Sequence, residues 1–150
     1  MINVLIVDDS RVSRELLGHI LTSDPDIRVI GHAVDGEEAL AFVAKEKPDV
    51  ITMDISMPKL DGIGATRKIM ETRPLPIIIV SGLWNPAEVA TTFRAMEAGA
   101  VALVEKPGGP GSPKAKEQAS SLIQTVKNMA EVRVIRRRAK RDGDPAPPLP

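Results

Sequence analysis

Three carboxylates in this chain stand directly after apolar runs: Asp8 and Asp9 follow Asn3–Val7, and Asp54 follows Val50–Met53. A hydroxyl, Ser81, closes the run Ile77–Val80, and an ammonium, Lys106, comes just after Val101–Val104. Acidic side chains gathered at one point repel one another unless a proton or a cation intervenes, and oxygen donors suit a hard divalent ion. Mg²⁺ is the natural candidate, because it takes one or two carboxylates and keeps waters that a phosphoryl oxygen can replace. Lys106 and Ser81 would add a positive charge and a hydroxyl donor, so an anion is expected beside the metal. A carboxylate can also attack phosphorus and form an aspartyl phosphate. The residue types alone leave open whether Asp54 only binds the metal or is also the nucleophile.

These groups work together only if a fold brings the ends of separate apolar runs to one place. After Asn3–Val7, the residues Val12, Leu16, Leu17, Ile20 and Leu21 recur at helical spacing, which predicts a strand and then an amphipathic helix. Asp24-Pro25-Asp26 breaks that helix, and Ile27–Ala33 alternates β-branched with polar residues, as an edge strand does. Asp35 predicts an N-cap, with Glu38 completing a capping box. The helix it opens turns Ala39, Leu40 and Val43 inward and ends before Pro48. After the strand Val50–Met53, Pro58 and Gly62 turn the chain, and Ile63, Ala65, Thr66, Ile69 and Met70 lie on the next helix.

Ile77–Val80 has no polar alternation, which suits a parallel strand covered on both faces. Asn85-Pro86-Ala87-Glu88 reads as a helix start, with Val89, Phe93 and Met96 as the buried stripe and Gly99 as the stop. Val101–Val104 is a fifth strand. Ser112-Pro113 then caps a last helix carrying Ala119, Leu122, Ile123, Val126 and Met129 on one face. Five strands alternating with five helices predict an α/β fold: a doubly wound, five-stranded parallel sheet with helices on both faces, because parallel neighbours need right-handed crossovers. The flavodoxin-like strand order 2-1-3-4-5 fits, and its switch point lies between the first and third strands, where Asp8, Asp9 and Asp54 end.

Composition narrows the function classes. The chain has 150 residues and no cysteine, so disulfides, thiolate catalysis and cysteine zinc sites are excluded. No apolar run is long enough to span a bilayer and no charged signal region opens the chain, so a cytoplasmic protein without membrane insertion is expected. Net charge is zero, but residues 1–132 hold 14 basic and 18 acidic side chains, and residues 133–150 hold 6 basic and 2 acidic. The basic excess lies in Arg133–Arg141, outside the folded pattern, so no direct nucleic-acid binding is expected of the domain. Two regions follow: a domain over 1–132, and a basic, then proline-rich linker or tail over 133–150.

On Asp8-Asp9, Asp54, Ser81 and Lys106, at four strand ends in this order, the chain resembles the receiver domains of two-component response regulators over roughly residues 2–130. The resemblance implies that Asp54 accepts a phosphoryl group from a sensor histidine kinase. It also implies that Asp8, Asp9, Asp54 and the backbone carbonyl of Ser56 hold Mg²⁺, and that Ser81 and Lys106 contact the phosphate. Met57-Pro58 with Asp61-Gly62 matches the family's loop after the acceptor, and Lys106-Pro107 matches a bond that is usually cis there. Arg73-Pro74-Leu75-Pro76-Ile77, the Ser81–Asn85 loop and Met96-Glu97-Ala98-Gly99-Ala100 resemble the regulatory half of chemotaxis protein-glutamate methylesterases. An effector domain in cis or a partner protein is therefore implied. The chain departs from the family at Leu103, where receivers generally carry an aromatic residue.

Each residue also has a plainer explanation. Asp8 and Asp9 could simply cap the first helix, Asp54 and Ser81 could be turn residues, and Lys106 a solvated lysine; their joint occurrence argues against coincidence. A stand-alone receiver acting as binding module or phosphate sink is the main alternative function. A Mg²⁺ phosphohydrolase is weakened by Ser56, which stands where such enzymes place a second aspartate. A dinucleotide-binding oxidoreductase lacks its glycine-rich turn. No separate catalytic domain is read in these residues; the chemistry expected of them is phosphorylation and dephosphorylation at Asp54.

Overall fold

The structure is a computed structural model that describes residues 1–54, 62–81, 94–109 and 111–131. Ser56 and its loop, Trp84, the Asn85-Pro86 helix start with Val89 and Phe93, and Arg133–Arg141 with the proline-rich end lie outside the described residues.

Five strands, β1 (Ile2–Val7), β2 (Ile27–Ala33), β3 (Val50–Asp54), β4 (Ile77–Ser81) and β5 (Ala102–Glu105), form one sheet in the order β2-β1-β3-β4-β5. Every pairing is parallel, as the apolar strand pattern requires. Strand alternation divides the core into two clusters. Leu5, Val7, Ile51, Met53, Ile77 and Ile79 pack with Ala39 and Val43 of α2 (Gly36–Lys45) and Ala65, Ile69 and Met70 of α3 (Gly62–Thr72). Val4, Ile6, Val50, Ile78 and Val104 pack on the other face. There they meet Leu17, Ile20 and Leu21 of α1 (Arg11–Thr22) and Leu122 and Val126 of α4 (Ala115–Met129). No described helix is long and apolar enough to cross a membrane.

Local signals explain most boundaries. Asp35 caps α2 by accepting from the Glu38 N–H at 2.8 Å, and Glu38 Oε1 reaches back to the Val34 N–H at 3.1 Å. That is the capping-box logic, with the return bond one residue earlier than the ideal. At the edge of the sheet, Val4 pairs with Val29 but Leu5 pairs with Gly31, which leaves Ile30 as a bulge. A Cβ at Gly31 would overlap the Phe42 ring, so any larger residue there forces the ring to move. Gly99, with φ 125°, ends the helical stretch 94–98.

Four expectations are corrected. Val12 is 75% exposed and Met96 38% exposed, so neither belongs to the core. In the helical stretch 94–98 the small residues Ala95 and Ala98, not Met96, take the buried positions. Ser112 does not cap the last helix, which begins at Ala115 with Lys114 at the N-cap and no side-chain cap. Ser112 instead closes a turn, its N–H donating to Gly109 O at 3.0 Å. Lys106-Pro107 is trans, like every described peptide bond; trans is the lower form of an X–Pro bond by about 0.5–1 kcal/mol.

Candidate metal and phosphoryl site

The C-terminal ends of β1 and β3 are neighbours in the sheet, which places Asp8 and Asp9 beside Asp54. One carboxylate oxygen from each of the three lies within 4.8 Å of the others. Their surroundings differ: Asp8 is 1% exposed, Asp54 is half-buried and Asp9 is exposed.

Asp8 is fixed on every side. Its N–H donates to Ala33 O at 3.0 Å, and its carbonyl accepts from Arg14 Nη1 at 2.8 Å. Oδ1 accepts from the Ser10 N–H at 2.9 Å. Oδ2 faces Lys106 Nζ at 3.0 Å, an ion pair that lacks the angles of a directed hydrogen bond. Neither acid caps α1. Ser10 holds that position, its hydroxyl accepting from the Ser13 N–H at 3.2 Å, so the plainer explanation of Asp8 and Asp9 fails on geometry.

Ser81 ends β4 and is 3% exposed. Its carbonyl accepts from the Lys106 N–H at 2.7 Å, which ties the lysine's backbone to the end of β4. In register, Asp54 pairs with Val80, so Ser81 stands one position beyond the carboxylate on the next strand. The loop after Lys106 is anchored in turn: the Gly108 N–H donates to Gln118 Oε1 of α4 at 2.8 Å. All five described residues expected to do chemistry thus lie at the C-terminal ends of the strands. Sequence reasoning missed Arg14 and Gln118, because bonds to main-chain groups of distant loops leave no spacing signal in the chain.

The donor set fits a hard divalent ion. Three formal carboxylate charges face one ammonium, leaving a surplus of two that a divalent cation offsets. Opposite corners of an Mg²⁺ shell stand about 4.2 Å apart, with ligands at about 2.1 Å. A spread of up to 4.8 Å therefore accommodates two direct carboxylates and a third acting through water.

A family model for the response regulator receiver domain matches residues 4–115. The chain belongs to the response regulator receiver family. This receiver is 57% identical over 143 residues to the protein-glutamate methylesterase/protein-glutamine glutaminase of Nitrosospira multiformis, a match covering 95% of the chain and 40% of that protein. A second such protein, from Geobacter metallireducens, is 54% identical, with all of this chain and 44% of that protein covered. Among solved structures, the response regulator domain of Thermotoga maritima CheB is 41% identical with a TM-score of 0.78, covering 89% of this chain and 98% of that one. The receiver is therefore of the CheB chemotaxis type, and it spans well under half the length of these curated relatives.

Proposed function

We propose that the receiver takes a phosphoryl group onto Asp54 from a phosphohistidine of a sensor kinase, and that this switches a methylesterase half in the same protein. The observation that supports the proposal is the convergence of Asp8, Asp9 and Asp54 with Lys106 at the switch point of the sheet. An Asp54 carboxylate oxygen attacks phosphorus, the P–N bond to the donor imidazole breaks, and the imidazole takes up a proton as an O–P bond forms. The Lys106 ammonium exchanges Asp8 for a phosphoryl oxygen, and the Ser81 hydroxyl donates to another. Mg²⁺ would be held by Asp9, Asp54 and the Ser56 carbonyl, with Asp8 acting through water. When bound, the ion offsets the charge of the phosphoryl oxygens.

The names of the curated relatives support an esterase output. In this reading residues 1–132 form the receiver and 133–150 a linker, within a cytoplasmic protein. The unphosphorylated receiver docks on the esterase half and occludes it. Phosphorylation weakens that contact, since a switch needs two states of different affinity. In the parent protein, a small phosphodonor with Mg²⁺ should raise esterase turnover, while Asp54→Asn stays at the basal rate. Turnover indifferent to the phosphodonor in protein shown to be phosphorylated would overturn the coupling.

A further inference from the structure

The carboxylate pair needs a fixed backbone, and one side chain outside the five site residues holds it. Arg14, the fourth residue of α1, is half-buried, and its Nη1 donates to the Asp8 carbonyl at 2.8 Å. That carbonyl belongs to the peptide joining Asp8 to Asp9. The bond therefore sets the plane from which the exposed Asp9 side chain projects. Asp8 has three further restraints, from Ala33, Ser10 and Lys106. Among the described residues, no hydrogen bond besides that of Arg14 reaches the Asp8–Asp9 peptide from its carbonyl side.

We infer that Arg14 is a positioning residue for metal binding by this receiver, orienting Asp9 through the Asp8–Asp9 peptide. The inference rests on the metal reading of the acidic cluster given above. A guanidinium is suited to the task because its planar fork directs the donor, whereas an ammonium is a point charge. Outer contacts that orient a ligand typically alter metal affinity by about 10–100-fold when removed.

The sign of the effect separates positioning from simple electrostatics. Arg14 carries a positive charge near the cluster, so removing it should tighten cation binding if charge alone matters. If Arg14 orients Asp9, removing it should weaken binding despite the lost repulsion. The Arg14→Lys variant keeps the charge and loses the fork, so only positioning predicts a loss there.

The experiment is an Mg²⁺ titration by calorimetry of the chain, of Arg14→Met, Arg14→Lys and Asp9→Asn, each checked for folding by circular dichroism without metal. We expect Arg14→Met to bind Mg²⁺ about tenfold more weakly, with Arg14→Lys between it and the parent. At saturating Mg²⁺, phosphorylation of both variants should approach the parent rate. Affinity equal to or tighter than the parent's in folded Arg14→Met overturns the inference; should that variant not fold, unchanged affinity in Arg14→Lys does so. A parent that binds no Mg²⁺, or an Asp9→Asn variant that binds as the parent does, overturns the metal reading itself and this inference with it.

Discussion

Thr52 is the residue whose chemistry its surroundings use least. It is 1% exposed, its partners in register are Ile6 and Ile78, and its Oγ1 has no hydrogen-bond partner among the described residues. A buried hydroxyl without a partner costs about 1–3 kcal/mol of desolvation. Thr52→Val keeps the shape and removes that cost, so it should raise the denaturant midpoint and add about 1 kcal/mol of stability; a lower midpoint would show that the hydroxyl is satisfied in solution. At this scale the residue types were legible in the sequence, because a carboxylate, a hydroxyl or an ammonium directly after an apolar run is visible without coordinates. Their environments were not. Nothing in the chain order distinguishes Asp8, buried, bonded to Ser10 and ion-paired with Lys106, from Asp9, exposed beside it.

At the scale of elements, Lys127 of α4 closes the turn between α1 and β2. Its ammonium donates to Asp24 Oδ2 at 2.9 Å and lies 3.4 Å from Asp26 Oδ2. The bond from Lys127, helped by the Asp26 N–H, holds the Asp24 carboxyl below its ordinary range, while the bond to Asp24 first and foremost raises Lys127. A carboxyl depressed in the folded state stabilises above its unfolded pKa and loses that contribution as pH falls through the folded value. A raised lysine stabilises below its unfolded pKa and loses its contribution as pH rises through the folded value. The contribution of the clasp should therefore be level between about pH 5 and 9 and shrink at both ends. Thermal unfolding of Lys127→Met should show a deficit against the parent at pH 7 that narrows toward pH 2–3; a constant deficit would mean lost packing of the lysine stem. Cutting back Leu122, fully buried under the same helix, should cost about 2–5 kcal/mol as Leu122→Ala, read from chemical denaturation.

Elements were legible where local chemistry and packing agree. Asp35 and Glu38 cap α2 as their spacing predicts, and Ile77–Val80 of β4, apolar throughout, is buried throughout. Val12 continues the helical period of α1 yet lies in solvent, since periodicity shows the spacing of a helix and not which of its positions meet the sheet. Ser112 offered a cap that the chain uses for a turn: its N–H closes back on Gly109 O, and the helix starts at Ala115 with Lys114 at the N-cap.

For the whole molecule, the strand order decides what the site can do. Placing β1 against β3 puts Asp8 and Asp9 beside Asp54, and the β4–β5 pair brings Ser81 and Lys106 to the same edge. Such convergence could be expected from the alternation of strands and helices, since the order 2-1-3-4-5 has its switch point there. Leu103 packs against the cluster on the α2 and α3 face, so a ring rotation at this position cannot carry the signal. The change of state should pass instead through the chain after Ser81, where Trp84 is the single tryptophan. A phosphoryl mimic with Mg²⁺ should alter its fluorescence in the parent and not in Asp54→Ala. A silent Trp84 in protein carrying the mimic would place the output elsewhere. The most direct measurement is the intact mass of the chain after incubation with a small phosphodonor and Mg²⁺, followed by mapping of the modified residue. One phosphate on Asp54 in the parent, and none in Asp54→Asn or without Mg²⁺, is the expected result; a phosphate retained by Asp54→Asn would contradict the assignment.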